Sequence, residues 1–115
     1  MKVAPIIVQA FEVTDPPALD PVRFYLQDLG SGRGRLIVEC YGAAWSCYWG
    51  AMGDRSLREF LIECSAEYLE TALHSGLTPT EEESRYLTRI VKVVKDSLVG
   101  LKTFARVGDG NTAYV

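Results

Sequence analysis

Two hydrophobic periods divide this chain. From Ile6 to Trp49 apolar residues form short runs or alternate with polar ones, and from Leu57 to Leu101 they recur every three or four positions. Alternation places successive side chains on opposite faces of a strand, whereas the longer period lines one side of a helix. The first half therefore predicts four strands. Ile6–Val13 is apolar and β-branched, and it ends at the breaker run Thr14-Asp15-Pro16-Pro17. Val22–Leu29 alternates Val22, Phe24 and Leu26 with Arg23, Tyr25 and Gln27. The glycine-rich run Gly30-Ser31-Gly32-Arg33-Gly34 joins it to a third strand, Arg35–Tyr41. After a short turn at Gly42-Ala43, Ala44–Trp49 is the fourth. In it Trp45, Cys47 and Trp49 share one face, with the bulk for a core, and Ser46 and Tyr48 share the other.

Three helices are predicted next. Ser56-Leu57-Arg58-Glu59 has the form of a capping box, followed by the stripe Leu57, Phe60, Leu61 and Cys64. Ser65 caps a second short helix carrying Tyr68, Leu69, Ala72 and Leu73, stopped by Gly76; the alternative is one bent helix through both pieces. Thr78-Pro79-Thr80-Glu81 supplies an N-cap, a proline at the first helical position and an acidic partner for the cap. Leu87, Ile90, Val91, Val94, Leu98 and Leu101 then form an amphipathic stripe, with acids at the helix start and lysines toward its end, as the dipole favours. The order of four strands followed by two or three helices predicts an α+β fold: an antiparallel meander sheet with helices on one face. The other face is left for solvent or a second copy. The chain reads as a single domain over residues 1–115, with Thr103–Val115 either a short hairpin at Gly108-Asp109-Gly110-Asn111 or a loosely held tail.

Charge and cysteine usage narrow the function classes. A net charge of −3 argues against a protein built mainly to grip phosphate backbones. No run of apolar residues is long enough for a membrane helix, and the opening MKVAPIIVQAFEVTD does not read as a secretory signal. Three cysteines without a CxxC pair suggest reduced thiols and a cytoplasmic setting.

Candidate catalytic sets are thin. Cys40, Cys47, Cys64 and His74 match a zinc set in number but not in spacing, and Cys64 falls on an apolar stripe. Three small buried hydrophobes are the plainer reading. A nucleophilic cysteine would have to draw on His74, the sole histidine, which sits near a helix end. The glycine-rich run leads into a strand rather than a helix, so it reads as a turn and not a phosphate loop. Glu39 is placed to pair with Arg23 on the neighbouring strand or with Arg35. No cofactor motif is present.

The segment Pro21 to Leu69 resembles a group of small accessory proteins encoded by temperate bacteriophages and prophages. The resemblance rests on Pro21-x-Arg23-x-Tyr25-Leu26-x-Asp28, the glycine loop, Cys40-Tyr41-Gly42-x-Ala44-Trp45 and Tyr48-Trp49-Gly50-x-Met52-Gly53. It implies expression in a bacterial cell and an accessory role that binds and redirects a host or phage machine. It transfers no functional residue.

The residues themselves point to a contact surface. Tyrosine, tryptophan and arginine are enriched in protein interfaces, and Arg23, Tyr25, Tyr41, Tyr48 and Arg55 are the candidate partner-binding set. The leading expectation is a non-enzymatic protein-binding module acting on a host or phage protein, with a homodimer as a further form. The alternatives are a nucleic-acid-associated accessory protein, stacking bases on sheet tyrosines, and a small cysteine-dependent enzyme.

Overall fold

The computed structural model describes residues 1–107, with side chains through Leu101. Four strands, β1 (Gln9–Val13), β2 (Val22–Gly30), β3 (Arg33–Cys40) and β4 (Ala43–Trp49), form one antiparallel sheet in chain order. Three helices follow, α1 (Leu57–Glu63), α2 (Ala66–Leu73) and α3 (Glu81–Val107). The fold is the α+β meander that the two hydrophobic periods predict.

The alternation in β2 and β3 does what period two requires. Val22, Phe24 and Leu26 on β2 and Leu36, Val38 and Cys40 on β3 are all buried. They join Leu57 and Leu61 of α1, Leu69 and Leu73 of α2, and Leu87, Ile90, Val91, Val94 and Leu98 of α3 in one core cluster. Burying that apolar surface against a single sheet face is the main force holding helices to sheet. The stripe of α3 is buried along its length up to Leu98, while Leu101 is half-buried.

Local signals set the helix starts. Ser56 Oγ accepts the Glu59 backbone N–H at 3.2 Å, and Glu59 Oε1 accepts the Ser56 N–H at 2.9 Å. Ser65 Oγ caps α2 through the Tyr68 N–H at 3.0 Å, so the two pieces are separate helices. For α3 the cap is Thr80 rather than Thr78. Thr80 Oγ1 accepts from the Glu83 N–H at 3.0 Å and Glu83 Oε1 from the Thr80 N–H at 2.8 Å. The run TPTEEE holds two overlapping capping boxes of equal local quality. The structure takes the second, leaving Leu77, Thr78 and Pro79 to line a groove beside Trp45, His74 and Tyr86.

Other expectations need correction. The first strand begins at Gln9, not Ile6; Ile6 and Ile7 are exposed and unpaired. Their composition favours a strand, but three consecutive apolar residues lack the alternation that one-sided burial selects. In β4 only Trp49 is buried, whereas Trp45 and Cys47 are half-buried because β4 is an edge strand. Asp28, near the end of β2, ties the sheet to α1, its Oδ1 accepting the Leu57 N–H at 3.3 Å. Thr103–Val107 belongs to α3, and the turn signal at 108–111 lies outside the described residues.

The glycine loop is a hairpin turn packed against the rest of the fold. Gly32 has φ +71°, and its carbonyl accepts the Met52 N–H at 2.9 Å. A side chain there would meet the Gly53 carbonyl oxygen at 2.9 Å. The loop therefore joins two strands and supports the following turn.

Candidate contact surface

The face of the sheet turned away from the helices is uncovered by the described residues, and strand register arranges it in three rows. Glu12, Arg23, Glu39 and Ala44 form the first row, Ala10, Tyr25, Ile37 and Ser46 the second, and Gln27, Arg35 and Tyr48 the third. These are the residues that alternate out of the core. Arg23, Ala10, Ala44, Ser46 and Tyr48 are exposed, and Tyr25, Arg35, Ile37 and Glu39 are half-buried.

The polar groups on this face are ordered by one another. Arg23 Nε donates to Glu12 Oε2 at 3.0 Å across the β1–β2 pair, and that hydrogen bond, with the carboxylate charge behind it, holds the guanidinium pKa above its ordinary value. Tyr25 Oη donates to Glu39 Oε1 at 2.9 Å. Donating to a carboxylate favours the protonated phenol, so the Tyr25 pKa is raised. In the third row the Arg35 guanidinium lies 5.7 Å from the centre of the Tyr48 ring. Arg23 therefore has a carboxylate partner within the chain, and Arg35 is held by an aromatic face.

Tyr41 stands at the rim. With Gly42 it forms the two-residue turn between β3 and β4, and both have positive φ, +51° and +81°. That backbone suits Asn-Gly and is uncommon for tyrosine. The side chain is 82% exposed, so no packing among the described residues offsets the strain. It borders a shallow groove of about 220 Å³ with Arg23, Glu39 and Glu12. Of the five candidate residues, Arg23, Tyr25, Tyr41 and Tyr48 thus belong to one face and its rim. Arg55 does not. It pairs with Glu63 at 2.8 Å and lies 5.7 Å over Phe60, on the helix side of the sheet.

The cysteines lie in three separate settings. Cys40 Sγ, buried under β3, accepts from Tyr86 Oη at 3.4 Å and contacts the Asp20 carbonyl at 3.6 Å. Cys47 Sγ contacts the Tyr48 carbonyl, and Cys64 caps the C-terminus of α1. Burial pushes both the Cys47 and Cys64 thiols above their usual pKa, Cys64 despite the nearby Lys95. His74 is engaged elsewhere: its Nδ1 lies 2.6 Å from Glu70 Oε2, and both side chains are buried. Sequence reasoning placed His74 at a helix end but missed this pair. The Glu–His spacing of four on α2 was the available signal. Among the described residues no group of three or more His, Cys, Asp or Glu converges to hold a metal ion.

The hydrogen bond to Cys40, with partial burial, pushes the Tyr86 pKa up to about 12. An unfolded tyrosine ionises near 10. The folded value is the higher one, so this contribution to stability is fully present below about pH 10 and is lost as pH rises toward 12. Ultraviolet titration of the folded protein should show a late-ionising tyrosine that Tyr86→Phe removes. Ionisation of every tyrosine together near 10 would mean the contact does not hold.

No helix among the described residues is long and apolar enough to cross a membrane. No curated protein and no solved structure matches the chain. A family profile does match, over residues 1–99, which extends the likeness beyond Pro21–Leu69 to the N-terminal strand and most of α3. The chain belongs to the phage protein family Phage_phiTE_072, described as a phage family.

Proposed function

We propose that this phage protein is a non-enzymatic binding module that engages a host or phage protein through the uncovered sheet face and the Tyr41 rim. The observation that carries this reading is Tyr41. A fully displayed tyrosine on a left-handed backbone costs stability within the chain, and such strain concentrates where a ligand uses the side chain. Tyr25 and Tyr48 supply aromatic anchors beside it, and Arg23 and Arg35 supply the guanidinium groups that interfaces favour.

A protein partner fits this face better than nucleic acid does. Two arginines are matched by two glutamates, Glu12 and Glu39, and Arg23 is already tied to one of them. A backbone-gripping surface needs uncompensated positive charge.

The test is a tagged pull-down from a bacterial host lysate with and without nuclease, followed by affinity measurement on the partner identified. Recovery should survive nuclease. Tyr48→Ala and Arg23→Ala should each weaken binding by about tenfold or more, as truncation of an interface anchor does. Tyr41→Asn should weaken binding while leaving the fold at least as stable, because asparagine accepts positive φ. Folded variants of Tyr48 and Arg23 that retain full affinity would defeat the assignment, and recovery abolished by nuclease would favour the nucleic-acid reading.

A further inference from the structure

We propose that two copies of this chain associate through their uncovered sheet faces about a two-fold axis running across the strands, each completed by the other's N-terminal arm. The inference rests on reading this face as a contact surface and commits to its occupant in the free protein.

Register decides the geometry. An axis along the Ala10–Tyr25–Ile37–Ser46 row sets the first row of one copy over the third row of the other. Glu39 then lies over the partner's Arg35, Arg23 over the partner's Gln27, and Ala44 over the partner's Tyr48. Each of these contacts occurs twice, as an isologous interface requires. Arg35 has no carboxylate partner among the described residues and rests on the Tyr48 ring, so a second copy supplies the acid it lacks. The smallest side chain of the first row faces the largest of the third. No like charges meet.

Area explains why the arm takes part. Four strands about 4.8 Å apart and rows about 7 Å apart present roughly 400 Å² per copy. A stable interface buries about 800 Å² per partner. Residues 1–8 are exposed throughout and take no part in the core, although they include Val3, Ile6, Ile7 and Val8; Ile7 is 89% exposed. Eight extended residues reach about 27 Å, more than the roughly 19 Å width of the sheet. The arm leaves the sheet directly from the edge strand β1, so it can lie along the margin of the partner's sheet, beside the stacked rows, and add the missing apolar surface.

Sedimentation velocity and light scattering on the full chain test this, from micromolar to millimolar concentration. The expected species has twice the 12.8 kDa mass of one chain. Arg35→Glu and Glu39→Arg, both half-buried on the uncovered face, should each raise the dimer dissociation constant by about tenfold or more, because like charges then oppose one another twice. Mixing the two variants should restore dimers, since each then presents the charge the other lacks. An Ile6→Asp/Ile7→Asp variant should weaken association while leaving the circular dichroism of the fold unchanged. A monomer at all concentrations would overturn the proposal, as would a dimer indifferent to both charge reversals or a mixture that fails to pair. Such a monomer that still captures a nuclease-resistant partner through Tyr48 and Arg23 would sink the dimer while leaving the proposed function intact.

Discussion

Phe24→Ala should remove about 3–5 kcal/mol of folding stability. The ring is fully buried in β2, between Phe11 and Val38 in strand register, with its centre 5.1 Å from that of Phe11. It stands on the covered face, in the cluster that the stripes of all three helices share. Truncation removes the transfer free energy of the aromatic ring and leaves a cavity that strand pairing on both sides keeps from collapsing. Because proteins of this size are typically stable by only 5–15 kcal/mol, the variant should be partly unfolded at moderate temperature. Urea unfolding followed by circular dichroism should show the midpoint falling sharply at an unchanged slope. A loss below about 1 kcal/mol would mean that the helices do not close over this position.

That core was legible because its signals are local or periodic. Val22, Phe24 and Leu26 alternate visibly, and Ser56 with Glu59 announces a helix start within four residues. The α3 cap shows where locality ends: Thr78 and Thr80 offer the same signal within one run, and the structure caps the helix with Thr80. Ile6–Val8 illustrate the opposite failure. Strand propensity is present, but propensity expresses fit to a half-buried pleated surface, and among the described residues no strand pairs with these.

The candidate surface divides in the same way. Strand alternation was enough to bring Arg23, Tyr25 and Tyr48 to one face, since period two fixes the side of every residue once one is known. Arg55 lies beyond the last strand, where no alternation governs direction, and the structure sends it to α1. Tyr41 is readable as a candidate contact residue at the end of a strand, but its positive φ depends on the two-residue turn it forms with Gly42, one residue before the expected turn at Gly42-Ala43. The four-residue spacing of Glu70 and His74 is readable, but the burial of the pair depends on which side of α2 meets α3. Contacts between elements distant in sequence leave no spacing to read.

Lys95 is the strongest example of such a contact, and Lys95→Met should lower stability by about 1–3 kcal/mol. From α3 its ammonium donates to the carbonyls of Leu61 at 3.3 Å, Ile62 at 2.8 Å and Cys64, the C-terminal end of α1. That end has no basic residue of its own in the last turn. A helix of seven residues has nearly as many unpaired carbonyls as internal hydrogen bonds, so its closure governs whether it forms at all. Methionine keeps most of the aliphatic packing and removes the donor, isolating the electrostatic part of the contact. Hydrogen exchange should report the loss first in the α1 amides, before the sheet is affected, because the end of α1 loses its charge-assisted donor while the strand ladders keep theirs. Lys95→Arg retains the charge and should recover part of the protection. If Lys95→Met leaves both the melting temperature and α1 exchange unchanged, water replaces the ammonium at no cost and α1 is held by Leu57 and Leu61 alone.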